Sequence, residues 1–297
     1  PLDTTDDCIA ADARLEPGGS SLQLQRIYKF LHDRVQQAAY SLIPEDQRPA
    51  MHLHIGRRLL AHTGGDEAKI DEELYVIVNQ INIGVDLIIT DTDTINGADA
   101  SRAVEREQLA RLNFAAGKKA RASMAYQAAV KYLDTALRLL GAADDDEDAD
   151  NTEDGAKAAA CWSTEKRALT MEVFLEAAMA QFLNTDYAMA KRLCTIMLRH
   201  AVTPLERVAV AELQMQFHIQ QHQMRPALDI GLAALEMLGV ELVVDRPTLQ
   251  LSDEEYCEGL PEMKDEAMLA AMRILMNLCA PTYVLEVPLP SHACCVS

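Results

Sequence analysis

Along most of this chain apolar residues recur at spacings of three and four, and almost nowhere at two. A helix turns once in about 3.6 residues, so that spacing draws one apolar stripe along a helix, whereas a strand needs alternation. The pattern predicts an all-α fold with little β structure. Hydrophobic residues make up 49% of the chain and aromatic residues only 5%, with Ala and Leu abundant. Small side chains of high helix propensity favour helices packed close together. At 297 residues the chain is long enough for one elongated domain or two compact ones.

The helical stretches are separated by recognisable breaks. Residues 1–20 are polar and end in Pro17-Gly18-Gly19-Ser20, a predicted disordered lead-in. Residues 21–90 form a predicted helical junction, with helices at about 21–42, 45–62 and 66–90. A loop rich in Asp, Thr and Gly runs from Thr90 to Gly97. A helical array is predicted over 99–141 and 158–286. Its helices fall at about 99–121, 124–140, 163–184, 186–200, 203–221, 224–238, 252–258 and 265–280, with an extended link from Val240 to Thr248. Residues 142–157 hold eight carboxylates and one lysine without apolar periodicity. Charge of one sign at that density cannot bury a face, which predicts a disordered acidic insert. Residues 287–297 are predicted to be an irregular tail.

A repeat underlies the array. Tyr126, Ala129, Leu133 and Ala136 occupy offsets 0, 3, 7 and 10, as do Tyr187, Ala190, Cys194 and Met197, and Met224, Ala227, Gly231 and Ala234. A small residue at offset 3 lets one helix approach its neighbour closely. The spacing resembles the second helix of a tetratricopeptide repeat, whose period is about 34 residues. The aromatic and glycine of the first repeat helix are mostly missing. The resemblance implies antiparallel helix pairs stacked as a degenerate tetratricopeptide-like array; a less regular helical bundle is the alternative.

The run Phe30-Leu31-His32-Asp33-Arg34-Val35-Gln36-Gln37-Ala38-Ala39-Tyr40-Ser41-Leu42-Ile43-Pro44 reads as one amphipathic helix. Ile27, Leu31, Arg34, Val35, Ala38 and Leu42 share a face, and Pro44 disfavours helical geometry at Ile43. This run resembles a segment that follows the ATPase module in large ATPase-linked, multi-sensor hybrid histidine kinases of fungi and bacteria. Ala50 to Leu60, Leu74 to Ile89, Leu112 to Ala120, Leu260 to Met263 and Ala271 to Met276 extend the resemblance over about residues 22–286. Such proteins string together a protein-kinase-like domain, an ATPase module, a helical region, a GAF sensor and a histidine kinase. The resemblance covers the helical region alone and includes no catalytic motif. His32, Asp33 and Arg34, inside the first helix, are the candidate interaction residues it implies.

Motifs for chemistry are weak. A GxxxxGK[ST] phosphate loop is absent; Gly117-Lys118-Lys119 lies in a helical pattern that predicts solvated lysines. His218 and His222 are four apart on a predicted helix, but Ile219 stands where the HExxH zinc-protease pattern needs Glu. His52 and His54, two apart, fall on different faces. Asp91 to Gly97 lacks the glycine position and the twelfth-position Glu of a calcium loop. No catalytic residue, metal ligand or cofactor is expected. The seven cysteines lack regular spacing, which suits free thiols in a reducing compartment, with Cys194 and Cys279 buried.

A net charge of -19 argues against nucleic acid and against an anionic membrane surface. No apolar window long enough to span a membrane is evident. Cys294-Cys295-Val296-Ser297 fits a prenylation box with Cys294 as acceptor, yet no polybasic stretch precedes it. A truncated or mis-spliced reading frame gives the same abrupt ending. Pro1 in place of Met reads as a segment of a longer chain. The expectation is a non-catalytic, cytoplasmic regulatory segment of a phosphorelay sensor kinase. Its partners would be the ATPase module and the sensor and kinase domains of one parent protein. A small-molecule sensor lined by Met215, Phe217 or Met224, and a prenyl-anchored scaffold, are the alternatives.

Overall fold

The computed structural model describes residues 32–90, 98–142, 161–240 and 263–286. These residues hold eleven helices and no strand. They are α1 (Asp33–Ser41), α2 (Arg48–His62), α3 (Glu67–Ile83), α4 (Val85–Thr90), α5 (Ala98–Ala122), α6 (Tyr126–Leu140), α7 (Arg167–Leu183), α8 (Tyr187–His200), α9 (Pro204–Gln220), α10 (Met224–Met237) and α11 (Glu266–Val284). The lead-in over 1–20, the acidic residues 143–157, most of the Val240–Thr248 link, the helix at 252–258 and the tail at 287–297 lie outside the described residues.

Capping side chains set several helix starts. Asp66, Asp186 and Asp265 each accept a backbone N–H of the helix that follows. Thr203 and Glu206 form a reciprocal capping box at α9, with Pro204 in the first turn. The predicted single helix over 66–90 breaks at Gly84 into α3 and α4. A side chain at Gly84 would meet the Pro49 carbonyl and lie 2.9 Å from Leu53 Cβ, so only glycine lets the chain turn against α2. Arg106 then donates to the Ile88 carbonyl at 2.9 Å, holding the end of α4. At the other extreme, α11 runs past the predicted end at 280 to Val284, with Pro281 buried inside it.

The helices pack as consecutive antiparallel pairs: α2 with α3, α5 with α6, α7 with α8, and α9 with α10. Each second helix also packs on the next first helix, α6 on α7, α8 on α9 and α10 on α11. The second helix α3 packs on α5, and first helices touch in turn, α5 with α7, α7 with α9 and α9 with α11. One apolar core runs from α2 to α9 through Leu53, Ile81, Leu109, Leu133, Phe174, Cys194 and Phe217. A second joins α9, α10 and α11 through Met215, Leu235, Ile274 and Leu278. The small residues of the sequence repeat, Ala129, Ala190 and Ala227, are all buried.

The crossing point of each pair shows how the helices come so close. Sixteen residues separate Gly117 from Leu133, Ala178 from Cys194, and Met215 from Gly231. In the first pair the glycine is on the first helix, and a Cβ there would lie 2.6 Å from Leu133 Cγ. In the last pair the sizes are exchanged, and a Cβ on Gly231 would lie 2.8 Å from Met215 Cε. In the middle pair Ala178 and Cys194 are both small and both fully buried. The combined size stays roughly even while its distribution changes, as close packing requires.

The turn inside each of these pairs is the same. Met124, Thr185 and His222 each sit two residues before the second helix, with φ of 60°, 68° and 59°. Each donates its N–H to the carbonyl three residues back, and the next residue donates to the carbonyl five back, as in Ala125 to Ala120 at 2.9 Å. This closes the first helix by a Schellman motif in which glycine is the usual left-handed residue. Here none of the three is glycine, and the left-handed conformation strains a side chain with a Cβ, Thr most of all.

Two outcomes follow from this geometry. Gly117→Ala is expected to lower stability by about 1–3 kcal/mol through overpacking against Leu133. Thr185→Gly is expected to raise it by about 0.5–1 kcal/mol, the relief of left-handed strain less the added chain entropy. Chemical denaturation midpoints measure both; an unchanged midpoint for Gly117→Ala would show that the crossing has room to spare.

Candidate functional site

The candidate interaction residues sit at the first helix. His32 is the residue before α1, in an extended conformation, and its side chain makes no capping bond. Asp33 occupies the first turn, where a carboxylate complements the helix dipole. Asp33 and Arg34 are exposed. The apolar face of α1 is open: α1 has no buried residue, and Leu42 is 83% exposed. Ile27 and Leu31 lie outside the described residues, as does Cys294.

What ties α1 to the rest is Tyr40, a residue off the predicted face. Its hydroxyl lies 2.9 Å from His52 Nε2 on α2, and His52 Nδ1 lies 2.6 Å from Gln80 Oε1 on α3. The Arg48 guanidinium lies 4.9 Å from the Tyr40 ring centre, and its Nε donates to the Ile43 carbonyl. One polar relay thus connects three helices at the junction. A second polar pair lies deeper: Asn82 and Asn113 exchange hydrogen bonds of 2.8 and 3.1 Å between α3 and α5, with Asn113 buried. The paired amides favour one register of those helices, because a shift would leave the buried Asn113 Oδ1 without the donor it has in Asn82.

Ion pairs continue the linkage along the first helices. Lys119 on α5 meets Asp71 on α3 at 3.0 Å. Arg121 on α5 grips Glu176 on α7 through two bonds of 2.7 and 3.1 Å. Arg167 on α7 grips Glu206 on α9 at 2.7 and 3.3 Å. Arg273 on α11 meets Glu212 on α9 at 3.2 Å. Paired Arg–carboxylate forks add geometric specificity to charge. Between the rungs, Phe114, Lys118 and Arg121 follow at helical spacing on α5, with Lys118 Nζ 5.2 Å from the Phe114 ring centre. Leu175 and Met179 on α7 are half-buried beside the core. The predicted solvated lysines therefore differ: Lys118 is exposed over an aromatic ring, whereas Lys119 is committed to Asp71.

Arg167 is the densest of these joints. It also donates to the Trp162 and His200 carbonyls, and its guanidinium lies 5.9 Å from the Trp162 ring centre. Trp162 stacks on His200 at 4.6 Å and on Phe174 at 5.2 Å. Burial raises the Glu206 carboxyl, but bonds from Arg167 and from the Val202 and Thr203 N–H groups, with the Arg167 charge, outweigh that. The net result lies below the ordinary carboxylate value. Arg167, Trp162 and Tyr40 carried no motif in the sequence, and the Thr-x-x-Glu pattern at Glu206 marks only a helix start and does not show its Arg167 partner.

Residues weighed for chemistry go elsewhere. His218 bonds to Gln223, and His222 has left the helix into the left-handed turn, so the pair does not share a helical face. Met215 and Phe217 are core residues, Phe217 stacking on Phe182 at 4.2 Å. Burial pushes the Cys194 thiol up to about 12, the range of an unreactive thiol. Cys279, expected buried, is exposed because it follows Leu278 around α11, away from the core. Contrary to the sequence expectation, α11 is long and apolar enough to cross a membrane by length and composition alone. Ala270, Ala271, Ile274, Leu275 and Leu278 are buried in the core formed with α9 and α10.

Comparison with known proteins gives one informative similarity. Over 188 residues the chain is 30% identical to hybrid signal transduction histidine kinase G of Dictyostelium discoideum. The chain resembles a segment of a signalling protein. The match takes in 59% of this chain and 5% of the kinase, so the chain spans about a twentieth of that relative's length. No protein-family model matches, and no solved structure matches.

The Glu206 joint carries a pH signature. A carboxyl held below its unfolded value contributes stability above that value and loses it as pH falls through the folded one. Wild type should therefore exceed Glu206→Gln in stability at pH 7, and the gap should close below about pH 4.3, the ordinary Glu value. Thermal melts of both proteins from pH 7 to pH 3 measure it; a gap independent of pH would remove charge from the account.

Proposed function

We propose that this chain is a non-catalytic interaction segment of a cytoplasmic hybrid-histidine-kinase-like signalling protein. Its helix pairs form a degenerate tetratricopeptide-like array that relays between an ATPase module on the α1 side and sensor and kinase domains beyond. The similarity to the Dictyostelium kinase is the observation that carries this reading. Support comes also from α1, which joins the array through Tyr40 and leaves Leu42 and Val35 exposed for a neighbour. His32, Asp33 and Arg34 line the same exposed helix.

The array is suited to relay. Stacked pairs make an extended binding face, and here Phe114, Lys118, Leu175 and Met179 lie where α5 and α7 adjoin. A change in how α1 sits on α2 through Tyr40 reaches α3 through His52 and Gln80, and the ion pairs between helices continue from α3 to α11. Nucleotide upstream would bias one packing of these helices over another, a population shift that requires different contacts in the two states.

Two experiments test the reading. The purified chain is expected to show no ATP turnover, and sustained hydrolysis by it would end the non-catalytic assignment. In an intact parent protein, nucleotide is expected to change amide hydrogen exchange in residues 33–62. Protection unaltered throughout the chain would end the relay.

A further inference from the structure

The helix α9 uses two faces. Val210, Leu213 and Phe217 belong to the core built with α7 and α8. Val208, Ala211 and Met215 belong to the core built with α10 and α11. The next first helix, α11, stands in the same register: Arg273 meets Glu212, and Ala271, Ile274 and Leu278 repeat the spacing of Val210, Leu213 and Phe217. Those three are buried against α9 and α10. The counterparts of Val208, Ala211 and Met215 are then Leu269, Met272 and Met276. On α9 that face is buried. On α11, Leu269 is 39% exposed, Met276 is 69% exposed and Met272 is half-buried. Tyr283, seven residues past Met276, is 86% exposed and lengthens the strip. Leu269, Met272, Met276, Cys279 and Tyr283 include no residue charged at neutral pH.

We propose that the Leu269–Met272–Met276 face of α11 docks one amphipathic helix, antiparallel to α11, with glycine or alanine over Met276. It would complete the last pair as α10 completes the pair with α9. Continuity with the existing interface carries the choice of partner, since every earlier first helix from α5 onward is covered by such a helix. The size rule sets its chemistry. Gly231 lies under both Met215 and Leu278, and Leu133 faces Gly117, so a large Met276 calls for a small opposite residue. Residues 287–297 are a poor source, being eleven residues with prolines at 288 and 290. The second helices α6, α8 and α10 have 15, 14 and 14 residues, more than the tail can supply, and a proline past the first turn costs a helix one of its hydrogen bonds. This surface does not depend on the relay reading.

The probe is a fluorescein-labelled peptide with the sequence of residues 224–238, which carries Gly231 at its centre. Anisotropy titration against the full 297-residue chain is expected to show saturable binding. Met276→Glu should weaken it about tenfold or more without changing the melting temperature, because the position is exposed. Gly231→Leu in the peptide should weaken it similarly, and Met276→Gly in the protein should restore binding of that altered peptide. No saturable binding, or equal binding to wild type and Met276→Glu, overturns the proposal. So does a concentration-dependent dimer of the chain abolished by Met276→Glu, which would give the face to a second copy. Sedimentation with phosphatidylcholine vesicles that Met276→Glu abolishes would give it to lipid instead.

Discussion

Close approach at the helix crossings is the constraint on which this structure depends. Gly117 under Leu133, Ala178 with Cys194, and Met215 over Gly231 occupy equivalent places in three pairs. None of the pairs places two large residues there, and the core has few aromatic rings to fill a wider gap. With the backbones that close, the second helix of a pair can also reach the next first helix. The same approach brings first helices near enough for Arg121 and Arg167 to span to carboxylates on the next one. The ion pairs are therefore a consequence of the packing, and they select one register from those that apolar contact alone would tolerate.

Much of this was legible in the sequence, for local reasons. Helix period and the 0, 3, 7, 10 spacing are short-range, and the predicted ends of α5, α6, α8 and α9 fall within two residues of those found. The break at Gly84 was not legible, because an apolar period runs through it and only the approach of Pro49 shows why the helix stops. The close approach at Gly117 was not legible either, because the equivalent places in the other pairs hold Ala178 and Met215. The apolar stripe over residues 21–42 was legible, and its described members Val35 and Leu42 are exposed. The Arg167 joint gathers Trp162, His200 and Glu206, and no spacing rule brings those together.

The polar contacts divide into two kinds that serve different ends. Asn82 and Asn113 pair across a largely buried contact, where loss of Asn82 leaves the buried Asn113 Oδ1 without its donor, so the pair resists sliding. Tyr40, His52 and Gln80 lie toward the surface, where water can replace each bond at small cost. The body of the helix pairs is thus tied by a buried polar contact, and the first helix by contacts nearer the surface.

The turns with left-handed Met124, Thr185 and His222 bear on how such a chain can change length. Inside each pair the link is a fixed hairpin with a dictated backbone, and an added residue would misplace the crossing below it. The stretches 91–97, 143–160 and 241–262 all fall outside pairs. Insertion is thus steered to the seams, and the acidic run from Asp144 to Asp154 occupies one of them. The helix pair, not the single helix, is the unit that variation must respect, and a seam is where new sequence can be added to the array without rebuilding it.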